Sequence, residues 1–149
     1  MKIVDPKKLF LVQTDTTVGF LSQDSKRLAH IKKRDFKKPF LISVDSFKTL
    51  KKFIRVPKKY KKFVRRSKKI TFVYPKGLAL RVVKNEAHLK FLKKFRWLYS
   101  TSANLSGKKF NLDFAFKVAD IVVEDERGFF EGKPSKIVKL GKANKKRLR

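Results

Sequence analysis

The sequence contains no cysteine, which removes disulfides, thiolate chemistry and cysteine-based metal sites together. Histidine is nearly as scarce. His30 and His88 are the two in the chain, and neither belongs to a paired-carboxylate pattern of the kind that holds a metal. Acidic residues number 12 against 41 Lys+Arg, and neither a carboxylate dyad nor a Ser-His pair stands out for acid–base or nucleophilic catalysis. Long apolar runs are missing too: no stretch approaches the ~18 residues of a membrane span. The N-terminus, MKIVDPKKLF, has no apolar segment of useful length for a leader. These absences together read as a soluble cytoplasmic protein with no membrane partner.

What is present is a folding composition. Hydrophobic residues make up 42 % of 149 residues, with 15 Phe, enough for one domain with one core. Neither an internal repeat nor a linker divides the chain, so residues 1–140 read as a single domain and the basic stretch 141–149 as a frayed tail. The formal net charge is +29. Such a field concentrates polyanions at the surface with an affinity that falls with salt. It equally fits a merely lysine-solvated surface.

Along the chain, residues 8–13 read as a strand feeding a polar turn, TDTTVG, at 14–19. SQDSKRLAHIKKR reads as a helix capped by Asp24 or Ser25, with His30 at its end, and PFLISV (39–44) as a second strand. Asp45 or Ser46 caps the next helix, which breaks near Pro57, and a basic amphipathic segment carrying Tyr60, Phe63 and Val64 follows. Residues 70–74 and 78–83 are strands joined by PKG. A helix capped by Asn85 comes next, with His88 on its exposed side, and then the strand WLYSTS. Asp113 caps a short helix through Val118, and the strands DIVVE and KIVKL flank the loop ERGFFEGKPS. The expected class is α/β (α+β): a twisted mixed sheet flanked by helices.

Three stretches carry chemistry. Residues 48–69 hold 12 Lys/Arg and no acid, with Phe53, Tyr60 and Phe63 interleaved at helical spacing. The aromatics suit a core face, while Lys58, Lys59, Lys61, Lys62, Arg65 and Arg66 are candidates for binding an RNA backbone without reading bases. In HIKKRDFKKP, Lys32 and Arg34 stand two apart, with Lys37 and Lys38 close behind. If the helix ends there, Lys32 and Arg34 project to one side and can grip a triphosphate, the Arg as a fork and the Lys as a point charge. STSANLSG, at 100–107, brings short hydroxyls and an amide to the end of a strand, with Gly107 permitting a positive φ. On composition alone this is either a ligand loop or a capped turn.

STSANLSG resembles the TSANxSG signature of the YrdC/TsaC family of threonylcarbamoyl-AMP synthases. QTDTTVGF (13–20) is similar to the family's PTDTVYGL, Lys32 and Arg34 to its K-x-R, ITFVYPKGLALRV to its TFILP…VAVRV, and GKPSKIVKL to its GxPSTIVD. The likeness runs from about Leu11 to Leu140.

The resemblance implies a YrdC-like sheet with a deep, positively lined cavity. It implies a nucleotidyltransferase that joins L-threonine, bicarbonate and ATP into threonylcarbamoyl-adenylate with release of pyrophosphate. That product serves the N6-threonylcarbamoyl modification of adenosine 37 in tRNA, with t6A transfer proteins as downstream partners. Position by position, Lys32 and Arg34 would hold phosphates and the carboxylate of the intermediate. Ser102 and Asn104 would complete the nucleotide and metal site, Thr14 and Thr16 line the threonine pocket, and Arg81 and Ser135 reach the phosphates. Magnesium is implied by the ATP chemistry, its ligands unassigned. The alternative is a non-catalytic binder of double-stranded RNA or tRNA on the same fold. A different carbamoyl-adenylate transfer would normally bring additional domains. Val18 stands where the family usually has tyrosine, which implies a threonine pocket short of a ring and a hydroxyl. Gln13 replaces a proline, Lys136 a threonine, and the segment 39–71 is short.

Overall fold

A computed structural model describes residues 4–35, 37, 39–105, 107–141 and 144–149, so Lys38 and Ser106 of the two cation- and serine-rich motifs lie outside the described residues. The first strand, β1 (Phe10–Gln13), turns back into β2 (Val18–Ser22), a strand that the reading of 14–19 as one loop overlooks. Then follow α1 (Ser25–Lys32), β3 (Leu41–Val44), α2 (Phe47–Phe53), a 3₁₀ turn (Lys58–Tyr60) and α3 (Lys61–Arg66). The second half contributes β4 (Ile70–Val73), β5 (Ala79–Val82), α4 (Glu86–Leu92), β6 (Trp97–Ser102), α5 (Leu112–Val118), β7 (Ile121–Val123), β8 (Lys136–Leu140) and β9 (Lys145–Arg147). Side chains close the helix starts where short polar residues precede apolar ones. Asp24, Ser46 and Asn85 each accept a backbone N–H three residues on. The α5 cap is Asn111, not Asp113, which sits inside the first turn.

Among the described residues the strands form one mixed sheet in the order β7-β1-β2-β6-β3-β5-β4-β8-β9, with β1/β7, β3/β5 and β4/β8 parallel. Three apolar clusters cover it. Val18, Phe20, Leu28 and Ala115 pack under α1 and α5; Ile42, Leu50, Val64, Phe72 and Leu80 under α2 and α3; Phe10, Leu21, Leu92 and Leu98 under α4. Because strand side chains alternate in direction, the register Gly19↔Ser102, Leu41↔Ser100, Ser43↔Arg81 and Thr71↔Ile137 puts these polar and small residues on the α4 face. That face is only partly covered, and the remainder is the floor of a cavity. The basic C-terminus, expected to be frayed, runs as β9 antiparallel to β8. No helix among the described residues is long and apolar enough to cross a membrane.

Candidate nucleotide site

The cavity holds about 500 Å³ and is lined by residues from every part of the chain, among them Thr14, Lys32, Arg34, Arg81, Asn104 and Ser135. Thr16 and Ser102 are also on its wall, so the structure brings all eight expected small-molecule residues to one cavity. The six RNA candidates between Lys58 and Arg66 are exposed and lie elsewhere.

Lys32 reaches the cavity by helix termination, not through an extended chain. It is the last residue of α1, Lys33 follows at φ 53, and the reversed chain returns Arg34 N–H to the Ala29 carbonyl at 3.0 Å. Lys32 is 5 % exposed, and its ammonium donates to the Ser102 carbonyl (2.9 Å), to Asn104 Oδ1 (3.2 Å) and to the Asn104 carbonyl. Ser102 Oγ in turn donates to Asn104 Oδ1 at 2.5 Å, and Asn104 Nδ2 to the Lys108 carbonyl at 2.5 Å. Gly107 closes this loop at φ 76. Burial, with the Arg34 charge beside it, lowers the Lys32 ammonium to about 8. The Arg34 guanidinium lies over the Phe40 ring, 4.4 Å from its centroid, and donates to the Pro39 carbonyl at 3.1 Å. Its plane is therefore fixed before any ligand arrives.

Opposite stands a second cationic wall. Arg81 is buried and forms an ion pair with Asp15 at 3.1 Å. It also donates to Thr71 Oγ1 at 3.3 Å, and Thr71 shares a 2.8 Å hydrogen bond with Ser135. Arg149, which sequence reasoning placed in the tail, donates to the Ser135 carbonyl (2.9 Å) and Oγ (3.3 Å) and lines the cavity. The pairing of β9 with β8 carries it there, and nothing local in GKANKKRLR signals that pairing.

The 14–17 turn forms the third wall. Thr14 Oγ1 donates to the Thr17 carbonyl at 2.6 Å and accepts the N–H groups of Thr16 and Thr17, so its hydroxyl builds the turn. Gly132 packs on this turn so closely that a Cβ there would lie 1.8 Å from the Thr16 carbonyl oxygen. Arg127 locks the strand end below, donating to the carbonyls of Gln13 (2.7 Å) and Thr14 (3.1 Å) while paired with Asp125 at 2.7 Å. Val18 is not on the cavity wall: it is 1 % exposed and sits in the apolar cluster under α1 and α5. Alternation along β2 sends Thr17 and Gly19 to the cavity and Val18 to the core, so the expected loss from the threonine pocket is corrected to a core substitution. Gln13 uses its side chain to accept the Phe130 N–H at 2.9 Å, and Lys136 is exposed.

His88, expected to be exposed, is fully buried beneath the Asp15–Arg81 pair, with no hydrogen-bond partner for either ring nitrogen among the described residues. The helix face that carries it packs onto the sheet because Phe91 and Leu92 do. Burial lowers its pKa to about 4; Asp15 and Asp125 partly offset this, while the charges of Arg81 and Arg127 add to it.

Among the described residues no group of three or more His, Asp or Glu is placed to hold a metal ion. Among the described residues no carboxylate lines the cavity; Asp15, behind the wall, is paired with Arg81. The oxygens of Ser102 and Asn104 are engaged by the Lys32 ammonium and by each other, so they do not by themselves make a magnesium site, and the ion would enter bound to the phosphates.

The fold has parallels among solved structures. Two structures of P. abyssi Sua5, one of them complexed with L-threonine, are 20 % identical. They superpose with TM-scores of 0.82 and 0.79 over 96 % of this chain. The chain spans about half of each, 52 % and 50 %. Escherichia coli YciO gives a TM-score of 0.78 at 16 % identity, covering 96 % of this chain and 82 % of its own. HypF in a phosphate- and nucleotide-bound form gives 0.75 at 15 % identity, covering 96 % of this chain and 27 % of its own. A comparison with curated proteins finds no match. The model of the Sua5, YciO and YrdC proteins, described as "Telomere recombination", matches residues 3–149, and on that match the chain belongs to the Sua5/YciO/YrdC family.

Proposed function

We propose that the protein makes L-threonylcarbamoyl-adenylate from L-threonine, bicarbonate and ATP, releasing pyrophosphate. The observation that carries this reading is the arrangement of Lys32, Arg34, Arg81 and Arg149 around one cavity whose remaining polar lining is hydroxyl and amide. Such a lining suits phosphoryl-group chemistry, in which positioning and charge stabilisation do most of the work and no acid–base dyad is needed. Threonine and bicarbonate first condense to N-carboxythreonine with loss of water. A carbamate oxygen then attacks the α-phosphorus of ATP, and the bond to the pyrophosphate oxygen breaks as the new P–O bond forms. Lys32 and Arg34 would hold the α-phosphate and the carbamate, Arg81 and Arg149 the leaving pyrophosphate, and Thr16 and Thr17 the threonine. Magnesium, carried in on the triphosphate, would supply charge neutralisation at the leaving group, while Ser102 and Asn104 hold Lys32 in place.

The test is pyrophosphate release from ATP and bicarbonate with and without L-threonine. Threonine-dependent release is expected, and Lys32→Ala and Asn104→Ala should abolish it. Release that ignores threonine, or no release across metals and pH values, overturns the synthase and leaves RNA binding on this fold as the function.

A further inference from the structure

Twelve Lys or Arg and no acid occupy residues 48–69, and all twelve side chains are exposed. They lie on the sheet face away from the cavity. Along β4 and β5, Thr71, Val73, Ala79 and Arg81 point into the cavity, while Phe72, Tyr74 and Leu80 pack under α2 and α3. Between the α2–α3 connection and the β4–β5 turn this face opens into a furrow of two joined lobes, about 530 and 780 Å³, which share Arg55, Val56, Lys61 and Pro75. Its floor is apolar, built from Phe53, Ile54 and Leu78. Its rim carries Lys52, Arg55, Lys58, Lys61 and Lys76, with no carboxylate among the described residues. Tyr74 lines it as well, 2 % exposed, its hydroxyl without a hydrogen-bond partner among the described residues.

We infer that this furrow and the α2–α3 surface around it bind the phosphodiester backbone of RNA, independently of the cavity. A run of twelve exposed cations is complemented by a polymer with a charge every few ångströms, and a nucleic acid has that density where an acidic protein surface does not. Lysines dominate, and a lysine meets phosphate as a point charge from many directions. Among the described residues the rim offers flexible lysines and one arginine, Arg55, but no Asn, Gln or acidic side chain, so backbone phosphates are its main partners and the apolar floor meets sugars and base faces. The choice of RNA over DNA rests on the proposed function, whose product serves a tRNA; the surface itself does not depend on the adenylate chemistry.

The experiment measures anisotropy of a fluorescent unmodified tRNA transcript from 50 to 300 mM NaCl. It compares the wild type with Lys52→Gln/Lys58→Gln/Lys61→Gln/Lys76→Gln and with Lys26→Gln/Lys90→Gln/Lys93→Gln/Lys117→Gln, an equal charge removal on α1, α4 and α5. The furrow variant should lose at least tenfold in affinity, with a log–log salt slope shallower by about 3, the counterions of four lost phosphate contacts. The control should lose less than threefold. ATP binding to the cavity, followed by calorimetry, should be the same in all three proteins. Equal losses in the two variants reduce the effect to the molecule's overall field and overturn the furrow. Equal competition by polyglutamate at matched charge points to an acidic protein, and tighter binding of a DNA duplex removes the assignment to RNA. A joint loss of ATP and RNA binding in the furrow variant overturns the separation of the two faces.

Discussion

Lys32 enters the cavity with three oxygen acceptors around it and a pKa of about 8, so near neutral pH the free site is close to losing its central charge. A bound phosphate restores the cation. Nucleotide binding should therefore take up almost no proton at pH 6.5 and a growing fraction of one as pH passes 8, with affinity declining above that point. Calorimetry in two buffers of different ionisation enthalpy measures the uptake. Its absence at pH 8.5, or its persistence in Lys32→Met, would contradict the assignment. His88 gives the opposite acid-side signature. Its surroundings are Arg81 of the cavity wall, Asp15 paired with it, and Arg127 and Asp125 from the loop before β8. Below about pH 6.5 the unfolded chain binds a proton that the folded His88 refuses until about pH 4, so stability falls as pH drops through that window. The loss is on the order of 3 kcal/mol. Asp120 and Asp125, held below their ordinary value by Arg27 and Arg127, titrate lower and do not blur it. In His88→Leu the slope of denaturation midpoint against pH between 4 and 6.5 should flatten, and an unchanged slope would remove His88 as its source.

At the scale of elements, the loop between β7 and β8 decides whether the site exists at all. Gly132 has no room for a side chain, because the atom a Cβ would meet at 1.8 Å is the Thr16 backbone oxygen, fixed by the Thr14 hydrogen bonds. Gly132→Ala must displace the whole 14–17 turn, and we expect a cost on the order of 3 kcal/mol together with loss of cavity ligand affinity. Gly77→Ala, at φ 89 with nothing within 4 Å, serves as the comparison and should cost only about 1 kcal/mol. Thermal melts of the two variants check the ranking, and equal shifts would refute it. This contact also shows what the sequence could and could not reveal. Lys32, Ser102 and Asn104 could be expected in one cavity because short motifs that resemble a family's carry their residues at fixed spacing, and the three do line it. The caps at Asp24, Ser46 and Asn85 were legible because a cap is a local competition between side chain and backbone. Asp15, Arg127 and Arg149 were not, since each becomes a site residue through a partner 66, 114 or 14 positions away. His88 was misread because a basic helix with one apolar stripe does not announce how far that stripe extends.

At the scale of the molecule, +29 is balanced by few internal contacts: the described residues form four ion pairs, three of them on well-exposed arginines or partly open carboxylates. Self-repulsion therefore opposes compaction, and it is strongest among the twelve cations of 48–69. At 20 mM salt the repulsion reaches beyond 20 Å, whereas at 0.15 M it is screened within about 8 Å. The melting temperature should accordingly rise between 20 and 150 mM NaCl, the reverse of a fold held by exposed ion pairs, which weaken under screening. Sodium sulfate at matched ionic strength should raise it further, because a divalent anion can occupy the cavity between Lys32, Arg34 and Arg81 and bind only the folded state. The two contributions separate in Lys32→Met, which should keep the chloride response and lose most of the extra sulfate response. A melting temperature that falls with NaCl would mean that attractive pairs outweigh the repulsion. A sulfate excess that survives Lys32→Met would place the anion outside the cavity.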